Sequence, residues 1–196
     1  MDKNILKRQI KKFLEEDIGR GDITSESIFP HDQFGKASFV ARESFIAAGV
    51  MTVAATVFQI QNSKIIVENS IEDGKLVKKG ETLLDISGPV TDMLKAERVA
   101  LNLLQRMSGI ATLTAKFVDA VKGYDVLITD TRKTTPGLRM FEKYAVTCGG
   151  GSNHRFNLAD GVLIKDNHIA ACGSISKAVK NVRQHVPHTI RIEVET

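Results

Sequence analysis

The chain has 196 residues, of which 42% are hydrophobic and 26% charged, and its 27 Lys and Arg against 23 Asp and Glu give a formal charge of +4. No apolar run reaches the roughly 18 residues of a membrane span, and aromatic residues, at 6% with no Trp, are too sparse to indicate a nucleic-acid surface. Two cysteines exclude a disulfide scaffold, and the N-terminal residues lack a secretory signal. We therefore expect a cytoplasmic protein that binds neither nucleic acid nor membrane.

The first half of the chain mixes helices with short strands. Apolar residues at helical spacing predict an amphipathic helix over 3–17, and alternation predicts a strand over 36–42. A small apolar helix is expected after Gly49. Residues 63–84 are typical of short strands separated by Asp-Gly and Lys-Gly turns. Lipoyl and biotinyl carriers have similar turns, but no lysine-bearing hairpin tip is evident here, which favours a small structural sheet.

A long helix is expected next, with Thr91 as its cap. We predict that Gly109 breaks this helix and that a second helix runs to about residue 121. The pattern changes near this point, so we expect two domains. The first, 1–109, is an α+β domain that includes the long helix, and the second, 110–196, is a partial β/α barrel.

The second half alternates between strands and helices. Three apolar runs, at 126–130, 161–165 and 189–195, are short enough to be buried parallel strands. A helix over 174–185, capped by Ser174, lies between the last two runs. This order predicts an α/β fold.

All three predicted strands finish with charged residues. Thr131, Arg132 and Lys133 follow the first, Lys165 ends the second, and Glu195 ends the third. Charge at one strand end is ordinary, because strand ends emerge into water. Three such ends with both signs of charge favour a functional site, since β/α barrels carry their chemistry at the carboxyl ends of their strands.

Three consecutive glycines, 149–151, lie directly before the pair His154 and Arg155. Glycine permits close approach of the backbone to a ligand or to another segment. A flexible connector is the other interpretation of the three glycines.

The turn TTPG at 134–137 predicts the start of a helix, with Pro136 in its first turn and with Arg139 and Lys143 one turn apart. Six cations lie within 34 residues of this region: Arg132, Lys133, Arg139, Lys143, Arg155 and Lys165. Arg and Lys in this number suit a ligand with several carboxylates or phosphates. The sequence contains no nucleophilic triad and no glycine-rich nucleotide-binding loop.

Several segments closely resemble the quinolinate phosphoribosyltransferase family. They are EDIGRGDIT (16–24), VARESFIAAG (40–49), AERVALNLLQRMSGIATLTA (96–115), TDTRKTTPGLRMFEKYAV (129–146), CGGGSNHRFNLADGVLIKDNHI (148–169) and IEVE (192–195). The resemblance runs in order along essentially the whole chain.

The resemblance implies an activity and a fold. The enzyme would transfer a phosphoribosyl group from 5-phosphoribosyl 1-pyrophosphate to quinolinate with Mg²⁺, and it would release pyrophosphate and CO₂ to leave nicotinate mononucleotide for NAD synthesis. The fold would be the type II phosphoribosyltransferase fold, an open-faced α/β sandwich followed by an incomplete α/β barrel. The working unit would be a homodimer or a higher homo-oligomer with shared active sites.

The resemblance also implies roles for individual residues. The substrate-binding residues would be Arg98, Thr131, Arg132, Lys133, Arg139, His154, Arg155, Lys165 and Glu195. Among these, Lys133, Lys165 and Glu195 would be catalytic, and Glu195 would also bind the metal. Arg98 would enter the site from the neighbouring subunit.

The chain ends one residue after Glu195. Family members continue with a further aspartate at the metal site and with loops that grip the 5′-phosphate, so we expect a truncated chain that keeps part of the acceptor site but lacks turnover. Two alternatives stay open: a molybdenum-transport-associated relative with another acceptor, and a non-catalytic binding module. The sequence TTPGLR at 134–139 favours the quinolinate enzyme over the first.

Overall fold

A computed structural model describes residues 1–195, which form two compact units. Unit 1 consists of Met1–Asp130 together with Thr134–Asn153, and unit 2 consists of Thr131–Lys133 together with the chain from His154 onward. No helix within the described residues is both long enough and apolar enough to cross a membrane.

Unit 1 contains five helices and five strands among its regular elements. The helices are α1 (Lys3–Ile18), α2 (Ile23–Ile28), α3 (Ala55–Gln61), α4 (Val90–Ala120) and α5 (Arg139–Cys148), and a π-helical turn (Val50–Ala54) precedes α3. The strands are β1 (Phe34–Val40), β2 (Phe45–Ile46), β3 (Ile66–Ser70), β4 (Leu76–Val77) and β5 (Thr82–Pro89). Strand β5 lies between β1 and β3 and is antiparallel to both, while β2 pairs with β4.

The beginning of unit 1 follows the sequence prediction. The Asp2 carboxylate accepts hydrogen bonds from the amides of Asn4 and Ile5 at 2.8 and 3.0 Å and caps α1. Leu6, Ile10 and Leu14 recur every four residues and are buried, as the helical spacing requires.

The turn predictions for the sheet are also confirmed. Gly74 and Gly80 have φ angles of +86° and +91°, which glycine adopts without steric cost, and each lies in a turn beside the short strand β4. The expected apolar helix after Gly49 is present as the π-helical turn and α3.

The predicted break at Gly109 is wrong, because α4 is one continuous helix of 31 residues. Its N-cap is Pro89, and Thr91 lies inside the helix, where it is buried. Glycine in a helix costs about 1 kcal/mol relative to Ala. Met107 and Ala111, on either side of Gly109, are fully buried, and their packing holds the helix together. The domain boundary near residue 110 stays a prediction.

The predicted strand at 126–130 is also wrong. Among the described residues, only Thr129 forms a bridge there, in parallel with Ser152, and Leu127 is 78% exposed. A parallel strand needs continuous pairing along its length, and this segment is paired only at that bridge.

Helix α5 begins later than expected. It begins at Arg139, three residues after Pro136, because Gly137 takes a φ of +83° and ends the preceding turn. The glycines at 149–151 approach α4 closely, since a Cβ on Gly149 would lie 2.7 Å from Thr114 Cβ. The close approach predicted from these glycines is therefore to another segment of the chain.

Unit 2 contains a parallel pair of strands and two helices. These are β6 (Val162–Ile164), α6 (Asp166–Cys172), α7 (Ile175–Arg183) and β7 (Ile192–Val194). The two strands are parallel as predicted, with Val162 opposite Ile192 and Ile164 opposite Val194. Ser174 caps α7 by accepting a hydrogen bond from the Lys177 amide at 3.2 Å.

Candidate functional site

The ends of the two parallel strands bring opposite charges together. Lys165 directly follows β6 and Glu195 directly follows β7. Because the strands are parallel and in register, these two residues lie side by side, with Lys165 Nζ 2.7 Å from Glu195 Oε2. Their side chains are 35% and 60% exposed, so this ion pair is accessible to a ligand.

A second pair lies beside the first in the same unit. His154 Nε2 is 2.7 Å from Glu193 Oε2. Glu193 and Glu195 are two residues apart along β7, so they share one face of the strand. Glu193 was not among the predicted site residues, although the two-residue period of the strand places it on the same face as Glu195.

The segment Thr131–Lys133 belongs to unit 2 with these residues. Thr131 Oγ1 accepts a hydrogen bond from the Lys133 amide at 3.0 Å, which closes a local turn. Thr131 and Lys133 are exposed, and Arg132 is half-buried. The turn thus presents a hydroxyl and an ammonium group to solvent.

Arg155 organises a loop as well as contributing charge. Its Nη1 donates to the Gly161 carbonyl at 2.7 Å. At the other side of the loop, the Asp160 carboxylate accepts from the amides of Phe156 and Asn157 at 2.9 and 3.1 Å. The loop after Arg155 is therefore closed by two charged side chains.

Two predicted residues, Arg98 and Arg139, lie in unit 1. Arg139 Nε donates to Thr134 Oγ1 at 3.0 Å, and its side chain is half-buried. Arg98 lies exposed on α4 and makes no ion pair with any residue in the range 1–195. An intrachain salt bridge to Glu97 is thus not the reason for an arginine at position 98.

Lys143 was counted among the ligand-binding cations, and the structure corrects this. Only 2% of its side chain is exposed, and it pairs with Asp130, which is 6% exposed. The Asn153 amide nitrogen, in the orientation that satisfies its hydrogen bonds, donates to Asp130 and to the Lys143 carbonyl. Such burial gives Lys143 a structural role.

Glu142, the preceding residue on α5, is also buried and paired. It accepts hydrogen bonds from Arg106 Nε at 2.9 Å and from the Thr135 amide at 3.2 Å. Burial raises the pKa of this carboxyl, but the hydrogen bonds from Arg106 and Thr135 outweigh burial, and the pKa is lowered below its ordinary value. Glu142 was not among the predicted site residues.

The carboxylates limit what metal could be held. No group of three or more potential metal ligands exists among the described residues. Mg²⁺ usually keeps several waters and takes one or two protein carboxylates together with substrate phosphates. Within residues 1–195, the exposed carboxylate of Glu195 could take one coordination position on an ion of that kind.

Taken together, the strand ends of unit 2 combine cations with accessible carboxylates. The cations suit an anionic ligand, and the carboxylates of Glu193 and Glu195 can stabilise positive charge that develops nearby.

Comparison with known proteins identifies relatives along the whole chain. Family models described as the N-terminal and C-terminal domains of quinolinate phosphoribosyl transferase match residues 22–108 and 110–196. The probable nicotinate-nucleotide pyrophosphorylase [carboxylating] of Bacillus subtilis is 49% identical over 97% of this chain. A decarboxylating quinolinate phosphoribosyltransferase of Nicotiana tabacum is 44% identical over the same share. The chain spans 65% and 55% of the lengths of these two relatives.

Solved structures give the same result. NadC from Streptococcus pyogenes has a TM-score of 0.95 and 42% identity, covering 100% of this chain and 69% of that one. The nicotinate-nucleotide pyrophosphorylase from Francisella tularensis has a TM-score of 0.92 and 37% identity, with the same coverage. These similarities confirm the predicted fold class.

Proposed function

The chain belongs to the quinolinate phosphoribosyltransferase family, and on that basis we propose that its protein transfers a phosphoribosyl group to quinolinate. The ring nitrogen of quinolinate attacks C1 of the ribose, and the bond from C1 to pyrophosphate breaks. The carboxylate at position 2 of the pyridine then leaves as CO₂, and a proton is taken up at that carbon. The product is nicotinate mononucleotide, which places the protein in NAD synthesis.

The observation that carries this proposal is the charged edge formed by β6 and β7. The Lys165–Glu195 pair, at 2.7 Å, sets a cation and a carboxylate next to each other where a substrate can reach both. Lys165 would bind an anionic group of quinolinate or of the donor. Glu195 would stabilise the positive charge that develops on the ribose as pyrophosphate departs.

The other basic residues of unit 2 suit an acceptor with two carboxylates. We assign His154 and Arg155 to the quinolinate carboxylates, and Thr131, Arg132 and Lys133 to quinolinate and the phosphoribosyl donor. Arginine binds carboxylates through two parallel hydrogen bonds, which gives it selectivity for that group. The role predicted for Arg139 stays a prediction.

We assign Mg²⁺ to the side of Glu195. This exposed carboxylate can take one coordination position, and oxygens of the substrate pyrophosphate can take others. The ion would neutralise charge on the departing pyrophosphate.

We further propose that the protein works as a homodimer with shared sites. A groove of about 990 Å³ opens on unit 1, and apolar and charged residues of β1, α4 and the segment after β1 line it. Leu94 and Leu113 line it and are 40% and 56% exposed, and Glu97, next to Arg98, lies at its wall. A second copy of the chain covering this groove would bury these leucines and would receive Arg98 in its site.

A cytoplasmic location is part of the same proposal. Cys148 and Cys172 are free thiols, which is the state that a reducing compartment maintains.

The acceptor assignment is tested by isothermal titration of the full-length protein with quinolinate and with nicotinate. We expect quinolinate to bind at least about tenfold more tightly, because a second carboxylate adds charge-assisted hydrogen bonds. Equal affinity for the two acids would show that the site does not recognise a dicarboxylate, and the proposal would be withdrawn.

A further inference from the structure

Two adjacent residues of α5 carry opposite charges and are both buried. The side chain of Glu142 is 11% exposed and that of Lys143 is 2% exposed. A buried ion pair adds little stability compared with apolar residues of similar volume, because the desolvation of two charges offsets their attraction. Buried charged residues of this kind can instead specify one conformation of the chain.

Both residues hold the segment that begins the candidate site. Lys143 pairs with Asp130, directly before Thr131–Lys133. Glu142 accepts from the Thr135 amide at 3.2 Å, two residues after the same segment. Consecutive residues of one helix therefore hold the chain on both sides of the segment.

The second ligand-bearing segment starts from the same place. The Ser152 amide donates to the Ile128 carbonyl at 2.8 Å, and the Asp130 amide donates to the Ser152 carbonyl at 3.1 Å. The side-chain amide of Asn153 then donates to the Asp130 carboxylate. His154 follows immediately, so both segments leave from one hydrogen-bonded cluster.

The cluster lies next to both segments in the chain. Asp130 directly precedes 131–133, and Asn153 directly precedes 154–155. We call the four side chains Asp130, Glu142, Lys143 and Asn153 the α5 clamp.

We propose that the α5 clamp consists of positioning residues, which fix the backbone of 131–133 and 154–155 in the conformation that binds the acceptor. The clamp does not touch the substrate. It acts through the residues that follow Asp130 and Asn153 in the chain. This inference rests on the proposed function for the identity of the ligand, but not for the ordering of the two segments.

The first test replaces the buried pair with apolar residues of similar volume, in the double variant Asp130→Leu/Lys143→Met. The double variant is expected to fold, because it removes both buried charges together, with a small loss of stability from the Asn153 amide, which loses Asp130 as an acceptor. Quinolinate binding, measured by calorimetry on the full-length protein, is expected to weaken about 10- to 100-fold, since small displacements of binding groups are costly. Normal affinity in the double variant would overturn the proposal.

A matched control lies one residue further along α5. Tyr144 Oη donates to the Asp73 carboxylate at 2.8 Å and fastens the same helix elsewhere in unit 1. Tyr144→Phe removes that hydrogen bond without touching the clamp. We expect unchanged quinolinate affinity from this variant, and a loss equal to that of the double variant would assign the effect to helix packing alone.

Amide hydrogen exchange without ligand separates the clamp from the proposed function. In the double variant, the exchange rate at 131–135 and 154–155 is expected to rise at least about tenfold. In the milder variant Glu142→Gln, the same rise is expected only at 133–135. Tyr144→Phe is expected to leave the exchange rates unchanged. Unchanged exchange in both clamp variants would contradict the clamp whether or not quinolinate binds. If the wild-type protein binds no quinolinate while the clamp variants show faster exchange, the proposed function fails and the positioning role remains.

Discussion

Among single residues, Arg155 donates one hydrogen bond to the Gly161 carbonyl, and we propose that it also binds quinolinate. Arg155→Ala is expected to weaken quinolinate binding by about 2 to 4 kcal/mol, the range for a desolvated charge pair that loses one partner. Isothermal titration of the full-length protein measures this loss directly.

Asp160→Asn is the matched control for Arg155. Asp160 holds the same loop through the amides of Phe156 and Asn157 but is assigned no contact with the ligand. If Asp160→Asn weakened quinolinate binding as much as Arg155→Ala does, Arg155 would act only by closing the loop.

Glu142 makes the stability of the protein depend on pH. Its pKa is lowered in the folded state, because the hydrogen bonds from Arg106 and Thr135 outweigh burial. A carboxyl whose pKa is lowered in the folded state stabilises the fold at pH values above its ordinary pKa of about 4.5. This contribution is lost as the pH falls through the pKa of the folded state.

The expected result is a pH-dependent difference between the wild type and Glu142→Gln. The wild type should have the higher free energy of unfolding at pH 6, and the difference should shrink as the pH falls below the ordinary carboxyl pKa of about 4.5. Urea denaturation across this range measures it, and a difference that is constant with pH would contradict the assignment.

At the scale of helices and strands, the packing of α4 can be tested at two glycines: Gly109, which lies within α4, and Gly149, which follows α5 and packs against α4. A Cβ on Gly109 would meet no atom within 4 Å, so Gly109→Ala should stabilise the protein by about 0.5 to 1 kcal/mol. A Cβ on Gly149 would lie 2.7 Å from Thr114 Cβ, so Gly149→Ala should destabilise it. Thermal unfolding distinguishes the two, and a lower melting temperature for Gly109→Ala would show that α4 is not held through residue 109 as described.

The sequence predicted correctly those helices that residue spacing and capping within a short segment determine. The spacing of Leu6, Ile10 and Leu14 was sufficient for α1, and Ser174 was sufficient for the beginning of α7. Gly109 was misjudged because packing on both sides of a residue can outweigh its low helix propensity, and this packing is not visible in the sequence. The segment 126–130 was misjudged because an apolar run does not reveal whether a partner strand pairs along its length.

Part of the candidate site could be predicted from the sequence and part could not. Lys165 and Glu195 were identified from strand ends, and the parallel pairing brings them to 2.7 Å. The burial of Lys143 could not be predicted, because one cation in a basic sequence looks like another until its partner is known. Its partner, Asp130, lies 13 residues away in the chain.

At the scale of the whole molecule, the shared site can be tested with two inactive variants of the full-length protein, Arg98→Ala and Lys133→Ala. If Arg98 acts in the neighbouring subunit, a mixed dimer has one site with both defects and one with neither. Random pairing makes about half of the dimers mixed, so about a quarter of the sites should regain activity. If Arg98 acts within its own subunit, every site keeps one defect and no activity returns. The absence of activity after confirmed subunit exchange would therefore disprove the shared site.

We propose above all that the charged edge of β6 and β7 serves phosphoribosyl transfer to quinolinate with loss of its 2-carboxylate. The most direct measurement uses quinolinate labelled in that carboxylate, the full-length protein, Mg²⁺ and 5-phosphoribosyl 1-pyrophosphate. We predict that labelled CO₂ is released only when the phosphoribosyl donor is present, and that Glu195→Gln reduces the rate about 100-fold or more. Release of labelled CO₂ without the donor would disprove this assignment. So would a lack of release by the folded wild-type protein when all the reactants are present.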